Sequence, residues 1–585
     1  MKGLYIPLLK SIRTSVCAAK FRRFPLFWAS TAFHAHQQLR APVWITPLIA
    51  PLRPIHSSTV CAQTRIPVMN ASNIPSNLCQ IHLTKNEEEL FEELVNVSKE
   101  IHKLHPDLHP ITLRVAGGWV RDKLLGKDSD DIDIAIDTMK GEPFAHAVET
   151  HMRNRGLEMG HIATIQINPE KSKHLETANA RVFGYLVDFV HLRTETYNDD
   201  SRNPDVDFGT PLEDALRRDI TINSLFFNIH TRQVEDFTGK GVEDLSKGHI
   251  RTPLPPRQTF VDDPLRVLRV IRFATRFGYE IDEEIMRSVA DDEIKKAFER
   301  KITRERIGVE LKKMMKGPDP LRSLRLIKEF GFYDLVFVPP AGHEVKVDSN
   351  IVLRLGQAVE SLLASKHFER FWAGAIQTAF EPDDRRLLYL TCAVAPFREY
   401  TYIEKEREHR LSREVMLQSV KLSGYDADVT SAILANLDHV RETVLKHFTS
   451  HGLDRKTLGL FVRHLGGKPL RDKWPLALLF AWAFDLIDTR MRSHLVDEGN
   501  LETVAADAYC HFIHTIRHLE LEDAQDFRPC LNGKEVATIL GIKPGPEIGI
   551  YLQRLIELQF SRPEITKEEC KHLLRTGFFG GAEGK

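Results

Sequence analysis

Two segments in the first half of the chain alternate apolar and polar residues, and each alternation predicts a β-strand. In residues 131–136 (DIDIAI) isoleucine occupies every second position, and residues 180–191 (ARVFGYLVDFVH) show a similar alternation. Because successive side chains of a strand point to opposite faces, Asp131 and Asp133 share the face opposite the isoleucines. The first segment therefore predicts a strand that buries one face and presents two carboxylates on the other.

A helical period governs most of the remaining chain. Residues 86–104 are Glu-rich with apolar residues at helical spacing, which predicts a helix before the first strand. After about residue 256 the strand signals fade and the helical period continues to the C-terminal end. These patterns predict an α+β fold, in which a small head of mixed sheet and helices precedes a long all-α neck, body and tail.

The same patterns predict where the regions of the chain begin and end. We expect an N-terminal extension outside the fold over residues 1–85, a head over 86–230, a helical neck over 231–320 and an all-α body and tail over 321–585. No apolar run reaches the ~18 residues that a membrane-spanning helix needs. No membrane span is therefore predicted, and no protein partner is indicated.

A glycine turn precedes the strand with the two carboxylates. Gly117 and Gly118 stand in the sequence VAGGWVRD, which also carries Arg121. Glycine lets the backbone approach a ligand closely, and consecutive N–H groups in such a turn can hold phosphate oxygens. Mg²⁺ is commonly bound by one or two carboxylates together with substrate phosphates. A lone Asp-x-Asp or Gly-Gly is usually structural, but their order and spacing here favour a site for a metal–triphosphate complex.

The second motif is LRRDITINSLFFN, residues 216–228. Arg217 and Arg218 suit contacts with phosphate or ribose, since a guanidinium matches the geometry of phosphate oxygens. Taken alone, this motif is explained equally well by a solvated ion pair. Asp188, in the second predicted strand, is a further carboxylate near the site. We interpret it as an edge-strand residue and do not include it among the expected ligands.

The third motif is FVDDPLRVLRVIRFATRF, residues 260–277. Proline is tolerated in the first turn of a helix, so Pro264 predicts a helix start, with Asp262 as the expected cap. The charged residues repeat every three positions along this helix, as Asp263, Arg266, Arg269 and Arg272. The alternative interpretation of this stripe is a basic face turned to solvent.

A carboxylate beside a guanidinium can distinguish bases by hydrogen bonding. Cytosine and adenine both present an exocyclic amino donor next to a ring-nitrogen acceptor, whereas uracil and guanine present the reverse order. Asp263 can accept from the amino group while Arg266, one turn later, donates to the ring nitrogen. A wrong base would leave buried charged groups unpaired at a cost of about 1–3 kcal/mol each. The pair is therefore predicted to select C and A.

These three motifs, in this order and spacing, resemble those of CCA-adding tRNA nucleotidyltransferases and bacterial poly(A) polymerases, which have a nucleotidyltransferase head of the DNA polymerase β type. The chain departs from the usual pattern by Ser224 in place of alanine and by Asp262 in place of glutamate. Residues 303–315 (TRERIGVELKKMM) are similar to the last motif of the family, a helix under the nucleotide-binding neck.

The resemblance implies a role for each candidate residue. Asp131 and Asp133 would be catalytic and bind Mg²⁺, Gly118 and Arg121 would hold the triphosphate, and Asp263 and Arg266 would choose the base. The remaining arginines would contact phosphate or ribose: Arg217, Arg218, Arg269 and Arg272. The neck would carry base selection, and the body and tail would bind tRNA.

The function that this resemblance implies is template-independent addition of the 3′-terminal CCA to tRNA from CTP and ATP, with release of pyrophosphate. The alternatives are an enzyme adding only CC or only A, a poly(A) polymerase, or a catalytically silent tRNA-binding protein. Residues 168–180 (NPEKSKHLETANA) form a polar segment between the two predicted strands. It is either a simple connector or, as in the family, a mobile loop needed for the switch from C to A.

Charge and cysteine content add two further expectations. The formal net charge is −1, so attraction for a polyanion must come from local basic surfaces. The seven cysteines contain no C-x-x-C, which predicts a reducing compartment and no zinc cluster.

The N-terminal extension has the composition of a targeting signal. No Asp or Glu precedes Glu87, whereas ten Lys or Arg residues do, which is typical of an organelle transit peptide. A disordered basic tail is the alternative. We expect a mitochondrial protein, with a cytosolic or nuclear form starting at Met69.

Overall fold

The computed structural model describes residues 80–579, apart from residue 108, residues 166–176, 197–204 and 376–378, residue 451 and residues 489–500. Residues 1–79 of the predicted extension, and with them the start at Met69, lie outside the described residues. Its last residues are described: Ile81 and Leu83 pack against the core, and Thr84 caps the first helix. Most of the predicted switching loop also lies outside the described residues, and only its last part, from Thr177, is described.

A mixed sheet forms the centre of the head and confirms the fold class predicted for it. Its strands run in the order β3-β4-β5-β2-β1-β8-β9. Only β2 and β5 pair in parallel, and the other neighbours are antiparallel. The strands of the head are β1 (Leu113–Ala116), β2 (Asp131–Ile136), β3 (Ala163–Ile165), β4 (Thr177–Val182), β5 (Tyr185–His191), β6 (Arg193–Thr196), β7 (Asp205–Phe208), β8 (Phe226–Asn228) and β9 (Gln233–Glu235), with β6 and β7 in a separate two-stranded sheet.

The segment predicted as one strand over residues 180–191 is a hairpin. Phe183 and Gly184 both have positive φ, 48° and 90°, and they reverse the chain between β4 and β5. Positive φ at both central residues is what a two-residue hairpin turn with the right twist requires. Since β4 covers the outer side of β5, Asp188 lies on an interior strand, and our edge-strand interpretation was wrong.

Helices pack on this sheet because their apolar residues face it. The first helix starts at a capping box in which Thr84 and Glu87 satisfy each other's backbone N–H groups, and it buries Leu90, Phe91 and Leu94. The helices of the head and of the start of the neck are α1 (Lys85–Leu104), α2 (Gly118–Leu124), α3 (Gly141–Asn154), α4 (Pro211–Leu216) and α5 (Gly241–Lys247).

The neck continues with helices α6 (Pro256–Asp262), α7 (Leu265–Phe277), α8 (Glu283–Ser288), α9 (Asp292–Lys301) and α10 (Arg304–Lys316), and with the short parallel pair β10 (His249–Ile250) and β11 (Glu280–Ile281). Asp262 was expected to cap the helix of the third motif, but it ends α6 instead. Pro264 is the N-cap of α7, and the carboxylate of Asp263, the residue before it, accepts the N–H of Leu265 at 3.2 Å.

The body and tail are helical, as predicted, with one short hairpin formed by β12 (Thr401–Glu404) and β13 (Arg407–Arg410). Within the described residues, no helix combines the length and apolar character needed to cross a membrane. The helices are α11 (Pro320–Glu329), α12 (Tyr333–Val336), α13 (Asn350–Leu363), α14 (Lys366–Ala375), α15 (Pro382–Val394), α16 (Leu411–Glu414), α17 (Gly424–Ala435), α18 (Leu437–Thr449), α19 (Arg455–Leu465), α20 (Trp474–Ile487), α21 (Leu501–His518), α22 (Gly533–Leu540), α23 (Pro546–Ser561) and α24 (Lys567–Arg575).

One hydrophobic core runs from the head through the neck into the body. A smaller core holds the last three helices together and includes Leu531, Val536, Ile548, Leu555, Cys570 and Leu574.

The start of α3 tests how closely the head is packed. A Cβ on Gly141 would overlap the carbonyl oxygen of Phe189, the residue after Asp188 in β5. We therefore expect Gly141→Ala to destabilise the protein by about 3 kcal/mol through overpacking. Gly549→Ala is the control, because a Cβ there meets nothing within 4 Å. Equal midpoints for the two variants in urea unfolding would contradict the close approach of α3 to β5.

Candidate active site

Three carboxylates lie on the same face of the head sheet. Asp131 and Asp133 alternate along β2, and Asp188 is the direct partner of Asp133 in the parallel register of β2 and β5. One oxygen of Asp188, Oδ1, is buried and has no hydrogen-bond partner. Such an oxygen is costly to bury alone and fits a site that a cation completes.

The electrostatics of these carboxylates also fit a cation. Burial raises the pKa of the Asp133 carboxyl to about 6; Asp131 and Asp188 act in the same direction, while Arg218 opposes them. Burial and the charge of Asp131 raise the pKa of Asp188 as well. Among the described residues, no three His, Cys, Asp or Glu side chains form a complete metal-binding group. A divalent cation here would therefore draw its remaining ligands from substrate phosphates or water.

The glycine turn lies beside the carboxylates and needs glycine for two reasons. Gly117 has φ of 72°, and a Cβ on it would come within 2.6 Å of Nη1 of Arg218. Its own N–H donates to the carbonyl of Leu225 at 2.9 Å. The backbone donor predicted for phosphate therefore remains that of Gly118, the first residue of α2.

The two arginines of the second motif share one carboxylate. Asp214, in α4, accepts hydrogen bonds from both Arg217 and Arg218, with Nε distances of 3.0 and 3.1 Å. Burial favours the neutral acid, but the two arginines outweigh it and lower the pKa of Asp214 to about 2. Arg218 also donates to the carbonyl of Asn223 at 3.1 Å, so its guanidinium is fixed next to the glycine turn.

Asp219, the acid of the second motif, joins the head to the neck. It accepts from Nε of Arg269 at 2.7 Å and from the amide of Asn223 at 3.0 Å. Burial opposes its ionisation, but Arg269 and Asn223 outweigh burial and lower the pKa of Asp219 to about 2. The start of the second motif and helix α7 are thus held against each other by an ion pair whose carboxylate is buried.

Two of the predicted phosphate ligands lie deep in the protein. Arg121 is buried, donates to Asp122 and Asn223, and lies over the ring of Phe277 at 4.9 Å. Arg272 is also buried and pairs with Glu310. Arg218 and Arg269, by contrast, keep 19% and 34% of their side chains exposed. The phosphate role of all these residues stays a prediction.

The structure does not pair Asp263 with Arg266. Arg266 donates to two backbone carbonyls, those of Thr259 at 3.3 Å and Arg217 at 2.5 Å. Asp263 instead forms a two-pronged ion pair with Arg306 of α10, with Nη2–Oδ2 at 2.7 Å and Nη1–Oδ1 at 3.3 Å. Their predicted joint role in base choice stays a prediction.

Several residues of this site were not among the expected site residues: Asp188, which was interpreted as an edge-strand residue, and Asp214, Asp219, Arg306 and Glu310. The alternation around Asp188 was visible in the sequence, but the Phe183-Gly184 turn that places it on an interior strand was not recognised. The partners of the two arginines and of Asp263 are set by tertiary contacts, for which the sequence carried no local signal.

With this geometry established, similarity to known proteins identifies the class. The family described as "Poly A polymerase head domain" matches residues 113–251, and that described as "Probable RNA and SrmB- binding site of polymerase A" matches residues 278–344. The chain is therefore a nucleotidyltransferase with a head of the poly(A) polymerase type.

Full-length relatives specify the family further. The chain is 36% identical over 533 residues to a mitochondrial CCA tRNA nucleotidyltransferase of Saccharomyces cerevisiae, covering 86% of this chain and 94% of the relative. It is 34% identical to a tRNA nucleotidyltransferase of Schizosaccharomyces pombe, covering 84% and 95%. The chain belongs to the tRNA nucleotidyltransferase/poly(A) polymerase family.

Solved structures share the fold. A CCA-adding enzyme in complex with CTP aligns with a TM-score of 0.56 at 19% identity, covering 85% of this chain and 96% of that one. A Thermotoga maritima CCA-adding enzyme complexed with tRNA aligns with a TM-score of 0.52 at 19% identity, covering 85% and 96%. At these identities the likeness concerns the fold.

The raised pKa of Asp133 predicts a gain in stability on neutralising it. In metal-free protein above pH 6, the ionised carboxylate costs about 3 kcal/mol, since its pKa is about 6 instead of 3.8. The stability that the protonated acid provides is fully present below pH 4 and lost as the pH rises through 6. Asp133→Asn should therefore match the wild type near pH 4 and exceed it by a few kcal/mol near pH 7.5.

Urea unfolding in the presence of a chelator, repeated across this pH range, measures the difference. Asp130→Asn is the control, since Asp130 is exposed just before β2 and should shift stability by no more than about 0.5 kcal/mol at any pH. A constant difference between Asp133→Asn and the wild type from pH 4 to 7.5 would contradict the raised pKa.

Proposed function

We propose that this chain adds the 3′-terminal CCA to tRNA without a template, using CTP and ATP and releasing pyrophosphate. The observation that carries the proposal is the junction of head and neck. There, the ion pair of Asp219 with Arg269 and the bond from Arg266 to the carbonyl of Arg217 hold helix α7 beside the turn that fixes Arg218 near Asp133. Groups suited to a triphosphate and groups suited to a base edge thus face one site.

The carboxylates provide the reactive end of the proposed site. We propose that Asp131 and Asp133 bind Mg²⁺, with Asp188 as a third carboxylate beside them. The bound cation would lower the pKa of the tRNA 3′-hydroxyl and neutralise charge on the triphosphate and on the leaving pyrophosphate. The two carboxylates would hold the cation, and Arg218, whose charge acts on Asp133, would face the phosphates.

The basic residues would hold the triphosphate. The exposed fractions of Arg218 and Arg269 support direct contacts with phosphate or ribose, and the backbone of Gly118 supports a further donor. Arg121 and Arg272 are more deeply buried, which favours support of the neighbouring helices over direct contact. Arg217 is about as exposed as Arg218 and shares Asp214 with it. All six stay proposed nucleotide-binding residues on this basis.

Base selection would take place at the start of α7. Asp263 is an acceptor just before α7, and Arg266 is a donor in the first turn of α7. A guanidinium carries five N–H donors, so Arg266 would donate to a ring nitrogen in addition to its bonds with the carbonyls of Thr259 and Arg217. We also propose three regions for the chain: a head over residues 86–230, a neck over 231–320, and a body with tail over 321–585. The body and tail would bind tRNA.

Replacing the carboxylates tests the catalytic proposal. With Mg²⁺, CTP and ATP, wild-type protein should extend tRNA that lacks its 3′ end by C, C and A and then stop. Asp131→Asn and Asp133→Asn should lower both C and A addition by about a thousandfold, and Asp188→Asn by about a hundredfold, because each removes charge from the reacting centre.

The matched control is Asp137→Asn, which changes the carboxylate at the other end of β2. The carboxylate of Asp137 accepts the N–H of Thr112 at 2.9 Å and lies away from the site. The rates of C and A addition by Asp137→Asn should therefore stay within about threefold of wild type. Products are read at single-nucleotide resolution on a sequencing gel. Extension to CC only, a long A tail, or no extension by wild type would each contradict the proposed function and identify the alternative.

We propose a mitochondrial location for the full chain, supported by its acid-free, basic first 86 residues and by its mitochondrial relatives. Translation from Met69 would remove most of this extension. Chains starting at Met1 should therefore fractionate with mitochondria, and chains starting at Met69 with cytosol or nucleus. The same distribution for both forms would contradict the targeting role of residues 1–68.

A further inference from the structure

We propose that Arg306 is a positioning residue for base choice, which holds the carboxylate of Asp263 in the orientation that accepts the amino group of C or A. This inference rests on the proposed function and deepens it. It assigns the orientation of the base-reading acid to helix α10, instead of to Arg266 in the first turn of α7.

Both oxygens of Asp263 are held in place. Arg306 donates Nη2 to Oδ2 at 2.7 Å and Nη1 to Oδ1 at 3.3 Å, and the N–H of Leu265 donates to Oδ1 at 3.2 Å. A two-pronged guanidinium–carboxylate pair fixes the plane of the carboxylate as well as its position. A carboxylate has about four lone-pair sites, so Asp263 can keep these partners and still accept from a base.

Both members of this pair can face a substrate. The side chain of Asp263 is 18% exposed and that of Arg306 33% exposed, so the pair lies at the edge of the neck and not within its core. Arg266, in contrast, is buried and donates to the carbonyls of Thr259 and Arg217. These bonds anchor Arg266 to the head and to the preceding helix α6. The ion pair with Arg306, in contrast, sets the orientation of the Asp263 carboxylate.

Helix α10 supports α7 at a second point, one turn further on. Glu310 of α10 pairs with Arg272, and its carboxylate lies 3.9 Å from the guanidinium of Arg269. Helix α10 therefore contacts two arginines of α7 in addition to Asp263. Between these two contacts, a Cβ on Gly308 would overlap the carbonyl oxygen of Val420 in the body. The helix that carries Arg306 is therefore packed directly against the backbone of the body, which fixes where Arg306 stands.

The expected consequence of losing Arg306 is a loss of discrimination. Without the two-pronged contact, the carboxylate of Asp263 can rotate, and its lone pairs no longer meet the amino group of C or A in one fixed direction. The advantage of C over U, and of A over G, depends on that direction. A residue that only stabilised the neck would lower the rate for all four nucleotides alike.

The experiment compares correct and incorrect nucleotides in single additions by the full chain. The value of kcat/KM is measured for CTP and UTP on tRNA lacking CCA, and for ATP and GTP on tRNA ending in CC. Arg306→Ala should reduce the C-over-U and A-over-G ratios by about tenfold or more. Arg306→Lys keeps the positive charge but lacks the planar guanidinium that donates to both carboxylate oxygens. It should give ratios between those of wild type and Arg306→Ala.

Two further variants separate this role from a general one. Glu310→Gln weakens the other contact of α10 with α7, so it should lower all four rates while leaving the ratios unchanged. In the double variant Asp263→Ala/Arg306→Ala, the ratios should equal those of Asp263→Ala alone, because Arg306 acts through Asp263. Lys312→Ala, at an exposed position of the same helix, should match wild type.

Unchanged ratios in Arg306→Ala, or an equal loss for all four nucleotides, would overturn the proposal. Ratios in the double variant that fall further than those of Asp263→Ala would also overturn it, since Arg306 would then act independently. If Arg306→Ala does not fold, the Arg306→Lys ratios decide. Failure of wild type itself to use CTP and ATP would instead overturn the proposed function.

Discussion

Two buried carboxylates at the junction of head and neck support the whole candidate site. Asp214 holds Arg217 and Arg218 within the head, and Asp219 reaches across to Arg269 of α7. In each pair the carboxylate is buried while its arginine keeps some exposure, so losing the arginine would leave a buried, uncompensated charge. These pairs tie α7, and with it the proposed base-reading acid Asp263, to the carboxylate face of the head.

The face of the head sheet that carries the three carboxylates is electrostatically unfavourable in the absence of a cation. Asp131, Asp133 and Asp188 repel each other across β2 and β5, and burial adds to the cost of the charge on Asp133 and Asp188. Core packing on the opposite face offsets it, with Ile132, Ile134 and other sheet residues fully buried. Conflict between stability and local charge is expected at functional sites and is uncommon elsewhere. The arrangement supports the proposal that a cation and phosphates bind at this face.

Local patterns in the sequence predicted much of this structure but not its long-range pairs. Alternation in β2 correctly placed Asp131 and Asp133 together, and the change of period after about residue 256 marked the helical part. The edge position of Asp188 was wrong because the two-residue turn before β5 was not recognised. Asp263 and Arg306 are 43 residues apart, and Arg266 bonds to backbone carbonyls that have no signature in the sequence. Such contacts arise only when the neck helices pack.

We propose that the junction of head and neck brings a metal–triphosphate site and a base-reading acid together. An experimental structure of the full chain with Mg²⁺ and a non-hydrolysable CTP analogue would test this arrangement. We expect Mg²⁺ bound by Asp131 and Asp133, phosphates near Gly118 and Arg218, and the cytosine amino group on Asp263. A triphosphate bound away from β2, or a cytosine edge with no contact to Asp263, would contradict the proposed arrangement.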